Sequence, residues 1–406
     1  MTLTRRIGYL VPQFPGQTHA FFWREVKALE ARGVEVRLLS TRPPPPGLVS
    51  HAWSGEAGAR TLYLASRSPL DAALALPALP WSDLSRAGRG LGRDLLVSLG
   101  AARALCRAAA RDGFRHVHVH SCARSALIAL LAERLGGPSY SLTLHGALSG
   151  YGPGQALKWR EARFATVVTH QLLAEVRAAL GDDCPARIVV QPMGIEAGRL
   201  RRPSAYLSPR PGEPVRLFSC GRLNPAKGHE DVLEALRLLL DGGTPATLAI
   251  AGEDDDGGTG YRRALEARVA ALGLGAEARL LGAVSEERVR EELWGAHAFV
   301  LASHEEALGV ALMEAMAAGL PTIGPAVGGV RELVTDGVDG LLVPPREPAR
   351  IAEAVLRVAR EPGLALDLAR AGESRARAFD AGRGAETLIR EVGLVGPEEA
   401  ERPQHA

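Results

Sequence analysis

Two glutamates eight positions apart, Glu306 and Glu314, stand in the run Ser303-His-Glu-Glu-Ala-Leu-Gly-Val-Ala-Leu-Met-Glu-Ala-Met-Ala-Ala-Gly-Leu-Pro321. At about 1.5 Å of rise per helical residue, carboxylates so spaced can lie up to about 12 Å apart. That span suits the two ends of an extended ligand better than a single metal ion. Between them, Ala307-Leu308-Gly309 would offer free backbone N–H groups at the start of a helix, a natural anion site. Upstream, Gly221-Arg222-Leu223-Asn224-Pro225-Ala226-Lys227-Gly228 sets two cations in a loop ahead of another helix. Helix dipole and paired cations there would clamp a diphosphate. Taken alone, each pattern also fits ordinary surface: acids on a solvated helix, and two surface cations.

Histidines supply the second group. Leu142-Thr143-Leu144-His145-Gly146 puts an imidazole at the end of an expected strand. His116, His118 and His120 alternate along another and so share one face. Without an acidic partner in that stretch they are a weak metal signature. The acidic, Gly-rich segment Asp254–Gly260 lacks the EF-hand pattern and is read as a loop. Neither stretch is read as a metal or cofactor site.

The elements that must position these residues are strands alternating with helices, twice over, the pattern of α/β layering with parallel sheets. Expected strands in the first half are Ile7–Val11, Val34–Leu39, Val117–His120, Ser141–Leu144, Val167–Thr169 and Ile188–Gln191. In the second half they are Arg216–Cys220, Thr247–Ala251, Arg279–Leu281, Ala298–Ala302, Thr322–Gly324 and Gly340–Val343. A helix from Val310 to Ala318 follows from its helix formers and the stop at Gly319 and Pro321. The economical architecture is two Rossmann-like domains with parallel sheets facing a cleft, ligands binding at the carboxyl ends of strands. The boundaries expected are 1–198 for the first domain, a linker at 199–214, and 215–373 for the second. A final helix at 374–395 and a disordered tail at 396–406 complete the chain.

Composition narrows the function classes. A formal net charge of +2 and 5% aromatic residues argue against nucleic-acid binding. Cys106, Cys122, Cys184 and Cys220 are scattered without a C-x-x-C pair, which suits a reducing cytoplasm. No window reaches the roughly eighteen apolar residues of a membrane span. Arg103, Arg107 and Arg111 form one basic helix face, read either as solvated or as a peripheral contact with the inner membrane surface. Neither Ile7–Val11 nor Arg216–Cys220 is followed by G-x-G-x-x-G, which argues against a nicotinamide-dependent oxidoreductase.

Glu306-x7-Glu314, followed by Ala-Met-Ala-Ala-Gly-Leu-Pro, resembles the signature of retaining GT-B glycosyltransferases of the family-4 type. Gly221–Gly228 is similar to the Gly-Arg…Lys-Gly element of the same family. The resemblance implies that Glu306 contacts donor-sugar hydroxyls and Glu314 the nucleotide ribose. Ala307, Leu308, Gly309 and Val310 would meet sugar and diphosphate, and Arg222 and Lys227 would hold the diphosphate. Gly282 and Val284 would line the base pocket, and His145 would reach the donor sugar. The start Phe14-Pro15-Gly16-Gln17-Thr18-His19-Ala20-Phe21 resembles that of a subgroup in colanic-acid and exopolysaccharide biosynthesis. It makes Gly16, Gln17, Thr18 and His19 acceptor-side candidates. Two departures stand out: Thr18-His19-Ala20 replaces Ser-Glu-Thr, and Ala307 replaces a usual glycine. The implied activity is metal-independent, retaining transfer of a hexose from a UDP- or GDP-linked sugar to a glycan or lipid-linked acceptor. The alternative is a non-catalytic sugar-nucleotide-binding subunit of a polysaccharide assembly complex.

Overall fold

The computed structural model describes residues 5–44, 51–65, 68–84, 89–254 and 257–394. Pro45 and Pro46, Asp255 and Asp256, and the tail 396–406 lie outside them. The chain forms two compact units. One takes in the chain to Pro44, Gly55–Met193 and the chain from Ala381; the other takes in Pro45–Ser54 and Gly194–Asp380.

In the first unit, β1 (Arg6–Gln13), β2 (Glu35–Arg42), β3 (Leu62–Tyr63), β4 (His116–Val119), β5 (Ser139–Leu144), β6 (Ala165–Val167) and β7 (Ile188–Val190) form one sheet. Its order is β3-β2-β1-β4-β5-β6-β7, and every pairing is parallel. In the second unit, β8 (Val215–Cys220), β9 (Ala246–Ala251), β10 (Ala278–Gly282), β11 (Ala298–Val300), β12 (Thr322–Pro325) and β13 (Leu341–Val343) pair in the order β10-β9-β8-β11-β12-β13. All of these are parallel too. The expected α/β class with two parallel sheets is what the chain adopts. Central strands such as β4 and β11 are buried at every position, as helices on both faces require.

Several expectations shift. The strand expected at Val167–Thr169 lies at Ala165–Val167, because the Thr169 side chain accepts from Leu172 N and caps the next helix. The two-residue β3 carried too little sequence to be read. Helix His229–Asp241 buries Val232, Leu233, Leu236 and Leu239, and Leu240 is half-buried. The segment read as a linker is anchored to the second unit. Arg202 donates to Leu293 O at 2.9 Å, and buried Tyr206 donates to His297 O at 2.9 Å.

The final helix, Ala381–Val392, belongs to the first unit and packs on helix Ala20–Ala31. On the long helix Arg89–Asp112, Arg107 pairs with both oxygens of Asp71 and Arg111 pairs with Asp112. Around it Leu70, Leu74, Leu76, Trp81, Leu96 and Val97 are exposed. Among the described residues no helix is long and apolar enough to cross a membrane.

Candidate active site

Each sheet reverses its strand order once, between β1 and β4 and between β8 and β11, and the carboxyl ends there are where such sheets bind ligands. Most candidate residues lie at these two places, while Gly282 and Val284 lie at the end of edge strand β10.

At the second switch point the loop after β8 is joined to the loop after β11. His304 N donates to Ala226 O at 2.8 Å, and the His304 ring lies 2.8 Å from Asp231 Oδ2. Lys227 Nζ donates to Glu306 Oε2 at 2.6 Å. Buried Ser303 donates to the same oxygen at 3.1 Å. Both donors converge on Oε2, so Oε1 is the oxygen with acceptor capacity to spare. The main chain of Glu306 is held as well: its carbonyl accepts from Gly329 N at 3.1 Å.

Two helix N-termini adjoin this pair, and they differ. Helix His229–Asp241 carries Glu230 and Asp231 in its first turn, which already offset the positive end of its dipole. Helix Val310–Ala317 has no acid in its first turn, and no side chain caps it; Gly309 precedes it in the left-handed conformation. The second is therefore the better anion site, and Ala307, Leu308, Gly309 and Val310 lead into it. Glu314 is half-buried on that helix. It and Lys227 both act on the half-buried Cys220 thiol, which desolvation pushes up to about 12. Arg222 is exposed, and its carbonyl lies 3.2 Å from the His229 ring. Gly282 ends β10, where its carbonyl accepts from Gly252 N at 2.9 Å, and Val284 follows half-buried. In the adjoining loop, buried Asp254 accepts from Gly258 N, Gly260 N and Arg262 N, so this acid organises backbone.

At the first switch point the histidines form hydrogen-bonded chains. His116 lies 2.8 Å from both Ser139 Oγ and Ser141 Oγ. His118 lies 2.7 Å from Ser141 Oγ and Thr143 Oγ1. His120 Nδ1 is 3.3 Å from Nε2 of His145, the residue that follows β5. Burial holds His116, His120 and His145 down to about 3, and His118 is lowered well below its ordinary value, so all four are neutral near pH 7. The Phe22 ring packs edge-on to His145 at 5.4 Å and lies 5.2 Å from His19. His19 N donates to Gly16 O at 3.0 Å, while Gln17 is half-buried and Thr18 exposed.

The acidic partner absent from the histidine stretch comes from elsewhere. Glu25, buried on helix Ala20–Ala31, accepts from Tyr9 Oη at 2.6 Å and lies 3.2 Å from His120 Nε2. Its signal was present in the sequence: Phe22, Val26 and Leu29 mark the inward stripe, and Glu25 lies on it. Asp231 and His304 had no comparable signal, because they are 73 residues apart in the chain.

A pair of parallel Rossmann-like sheets, each with charged or imidazole groups at its switch point, defines a GT-B architecture. The model for "Glycosyl transferase 4-like domain" matches residues 18–202, and that for "Glycosyl transferases group 1" matches residues 208–375. The chain belongs to this group 1 glycosyltransferase family. It is 31% identical over 220 residues to D-inositol 3-phosphate glycosyltransferase of Actinosynnema mirum, covering 52% of each chain. The chain thus spans about half the length of the curated relatives it matches. Sucrose-phosphate synthase from Thermosynechococcus elongatus superposes with a TM-score of 0.71 at 20% identity, over 97% of this chain and 100% of that one. Anabaena HepE in complex with UDP-glucose does so with a TM-score of 0.71 at 16% identity, over 96% and 100%.

Proposed function

We propose that the protein is a retaining, metal-independent glycosyltransferase that moves a hexose from a UDP- or GDP-linked sugar to a glycan or lipid-linked acceptor. The observation that carries this reading is the Lys227–Glu306 pair at 2.6 Å beside the uncapped helix at Val310. A diphosphate at that helix end meets backbone N–H groups and the cations of Arg222 and Lys227. Their charge stabilises the leaving nucleotide as the sugar bond breaks, the work a divalent ion would otherwise do. Glu306 Oε1 takes a sugar hydroxyl and Glu314 the ribose, with Gly282 and Val284 at the base. His145 serves a sugar hydroxyl, and Gly16 to His19 face the acceptor. The UDP-glucose held by the Anabaena structure supports a glucose-type donor. The exposed apolar side chains around helix Arg89–Asp112 support an acceptor at the inner membrane surface in exopolysaccharide synthesis.

The test is transfer from a panel of nucleotide sugars, with and without EDTA and with acceptor-bearing vesicles. Turnover should persist in EDTA with retained anomeric configuration. It should fall by about 10²–10³ in Glu306→Ala and in Lys227→Ala while the fold persists. Strict metal dependence would remove the mechanism. Donor binding with no release of nucleotide would favour the non-catalytic subunit instead.

A further inference from the structure

Glu25 is only 5% exposed, and the proposed transfer leaves it without a task. Its Oε2 accepts a hydrogen bond from the Tyr9 hydroxyl at 2.6 Å. His120 Nε2 lies 3.2 Å from the same oxygen, though not aligned as a full hydrogen bond. Two lone pairs at that separation repel, so the nitrogen facing the carboxylate carries the proton. A neutral imidazole has one N–H, which leaves His120 Nδ1 as a lone pair that can only accept. The atom 3.3 Å from it is His145 Nε2, which must then be the donor. The second nitrogen of His145, Nδ1, is left as a lone pair.

We propose that Glu25, acting through His120, is a positioning residue that holds His145 as the Nε2–H tautomer, so that Nδ1 accepts a hydrogen bond from a sugar hydroxyl. The sugar hydroxyl rests on the glycosyltransferase reading; the tautomer does not. Burial keeps His120 and His145 neutral, so the sequence of donors and acceptors is not erased by protonation near pH 7. The rings are held in place as well as in tautomer: Phe22 packs 4.8 Å from His120 and 5.4 Å from His145. The final helix makes room for the carboxylate. A Cβ at Gly384 would lie 2.6 Å from Glu25 Oε1, so any larger residue there would push the carboxylate aside.

The deciding measurement is a long-range 1H–15N correlation on the full chain with 15N-labelled histidine, His145 being assigned by the signals lost in His145→Ala. In the wild type, His145 should carry its proton on Nε2 and none on Nδ1. The Tyr9→Phe/Glu25→Met double variant removes both buried partners together, so no hydroxyl is orphaned. It should fold, and an Nδ1-protonated population of His145 should appear. Glu25→Gln retains an acceptor oxygen and should keep the wild-type tautomer. Should the double variant fail to fold, Gly384→Ala displaces the carboxylate without touching a ring and should shift His145 in the same sense. With a working donor, kcat should fall about tenfold in the double variant, with donor KM within about twofold and recovery in Glu25→Gln.

A wild-type proton on Nδ1, or an unchanged His145 tautomer in the folded double variant or in Gly384→Ala, would overturn the proposal. If the tautomer behaves as stated but no nucleotide sugar is consumed, the positioning stands and the glycosyltransferase reading fails.

Discussion

The two switch points share a backbone plan and differ in how they hold polar groups. At the second, charge is kept: Lys227 and Glu306 are paired at 2.6 Å and both side chains are partly accessible, 21% and 12%. At the first, charge is removed: burial holds four histidines neutral, with His116 and His118 bonded to hydroxyls and His120 to His145. The difference suits what each would meet in the proposed transfer. A diphosphate brings its own charge, and a charged clamp that stays close to water is not heavily penalised by desolvation. A sugar hydroxyl brings none, and is best met by a neutral group whose donor and acceptor ends are settled in advance. One fold thus carries an electrostatic site and a directional one.

The comparison breaks most sharply if the second site depends on something other than the Glu306 carboxylate. Gly328→Ala tests this from the backbone. An added Cβ would lie 2.0 Å from Glu306 O, and Gly328 has a φ of +50°. The neighbour is main chain and cannot swing away, so the loop carrying Glu306 must move. A shift on the order of 1 Å in a positioned group costs on the order of 10² in rate. We expect kcat/KM to fall by about that factor, with helix content by circular dichroism retained. Full activity in Gly328→Ala would show that the placement of Glu306 is unimportant.

The same contrast decided what could be read from sequence. The second site is built from short segments directly after strands, so Gly221–Gly228 and Ser303–Val310 could be placed from local pattern. Its internal partners could not: nothing in the chain near Ala226 says that His304 will join it. At the first site the rings lie on neighbouring strands, whereas Glu25 arrives on the helix after β1. Periodicity marks position 25 as inward, but only the folded sheet shows that His120 is what it meets. Strand order was out of reach for the same reason, since parallel neighbours such as β1 and β4 are about a hundred residues apart. The short helix Ala197–Leu200 and the docking of Tyr206 were hidden in Arg- and Pro-rich sequence that reads as linker.

Acid should separate the two units. An unfolded histidine titrates near pH 6.5, whereas His116, His120 and His145 titrate near 3 when folded and His118 is lowered too. Between those values the unfolded chain binds more protons. Stability of the first unit is therefore full above pH 6.5 and is lost as pH falls toward 3. Glu25, raised by burial, and Glu133, pushed up to about 7 by burial and by Glu161, act in the opposite sense. Both sit on helices, whereas the four histidines cluster on β4 and directly after β4 and β5, so the loss is local to those strands. Among the described histidines of the second unit, His229 and His297 are lowered, each to about 4, one on helix His229–Asp241 and one just before β11. From pH 7 to 5 each lowered histidine should weaken the segment that holds it by on the order of 1–2 kcal/mol. Hydrogen exchange, corrected for intrinsic rates, should show β4–β6 losing protection before β8–β12. Equal loss in both would mean that the histidines are not held neutral.

The finest distinction between the sites is whether Ser303 is to Glu306 what Glu25 is proposed to be to His145. Ser303 is fully buried and donates to Glu306 Oε2 at 3.1 Å, so it fixes a rotamer. Lys227 holds the same oxygen through a charge-assisted bond, the stronger of the two. Ser303→Ala therefore leaves the carboxylate paired with Lys227 and removes one hydrogen bond worth roughly 1 kcal/mol. We expect kcat/KM to fall about fivefold, carried by kcat, with donor KM little changed. A drop as large as that of Lys227→Ala would mean that the second site also works by orientation, and the contrast between a charged site and a directional one would be lost.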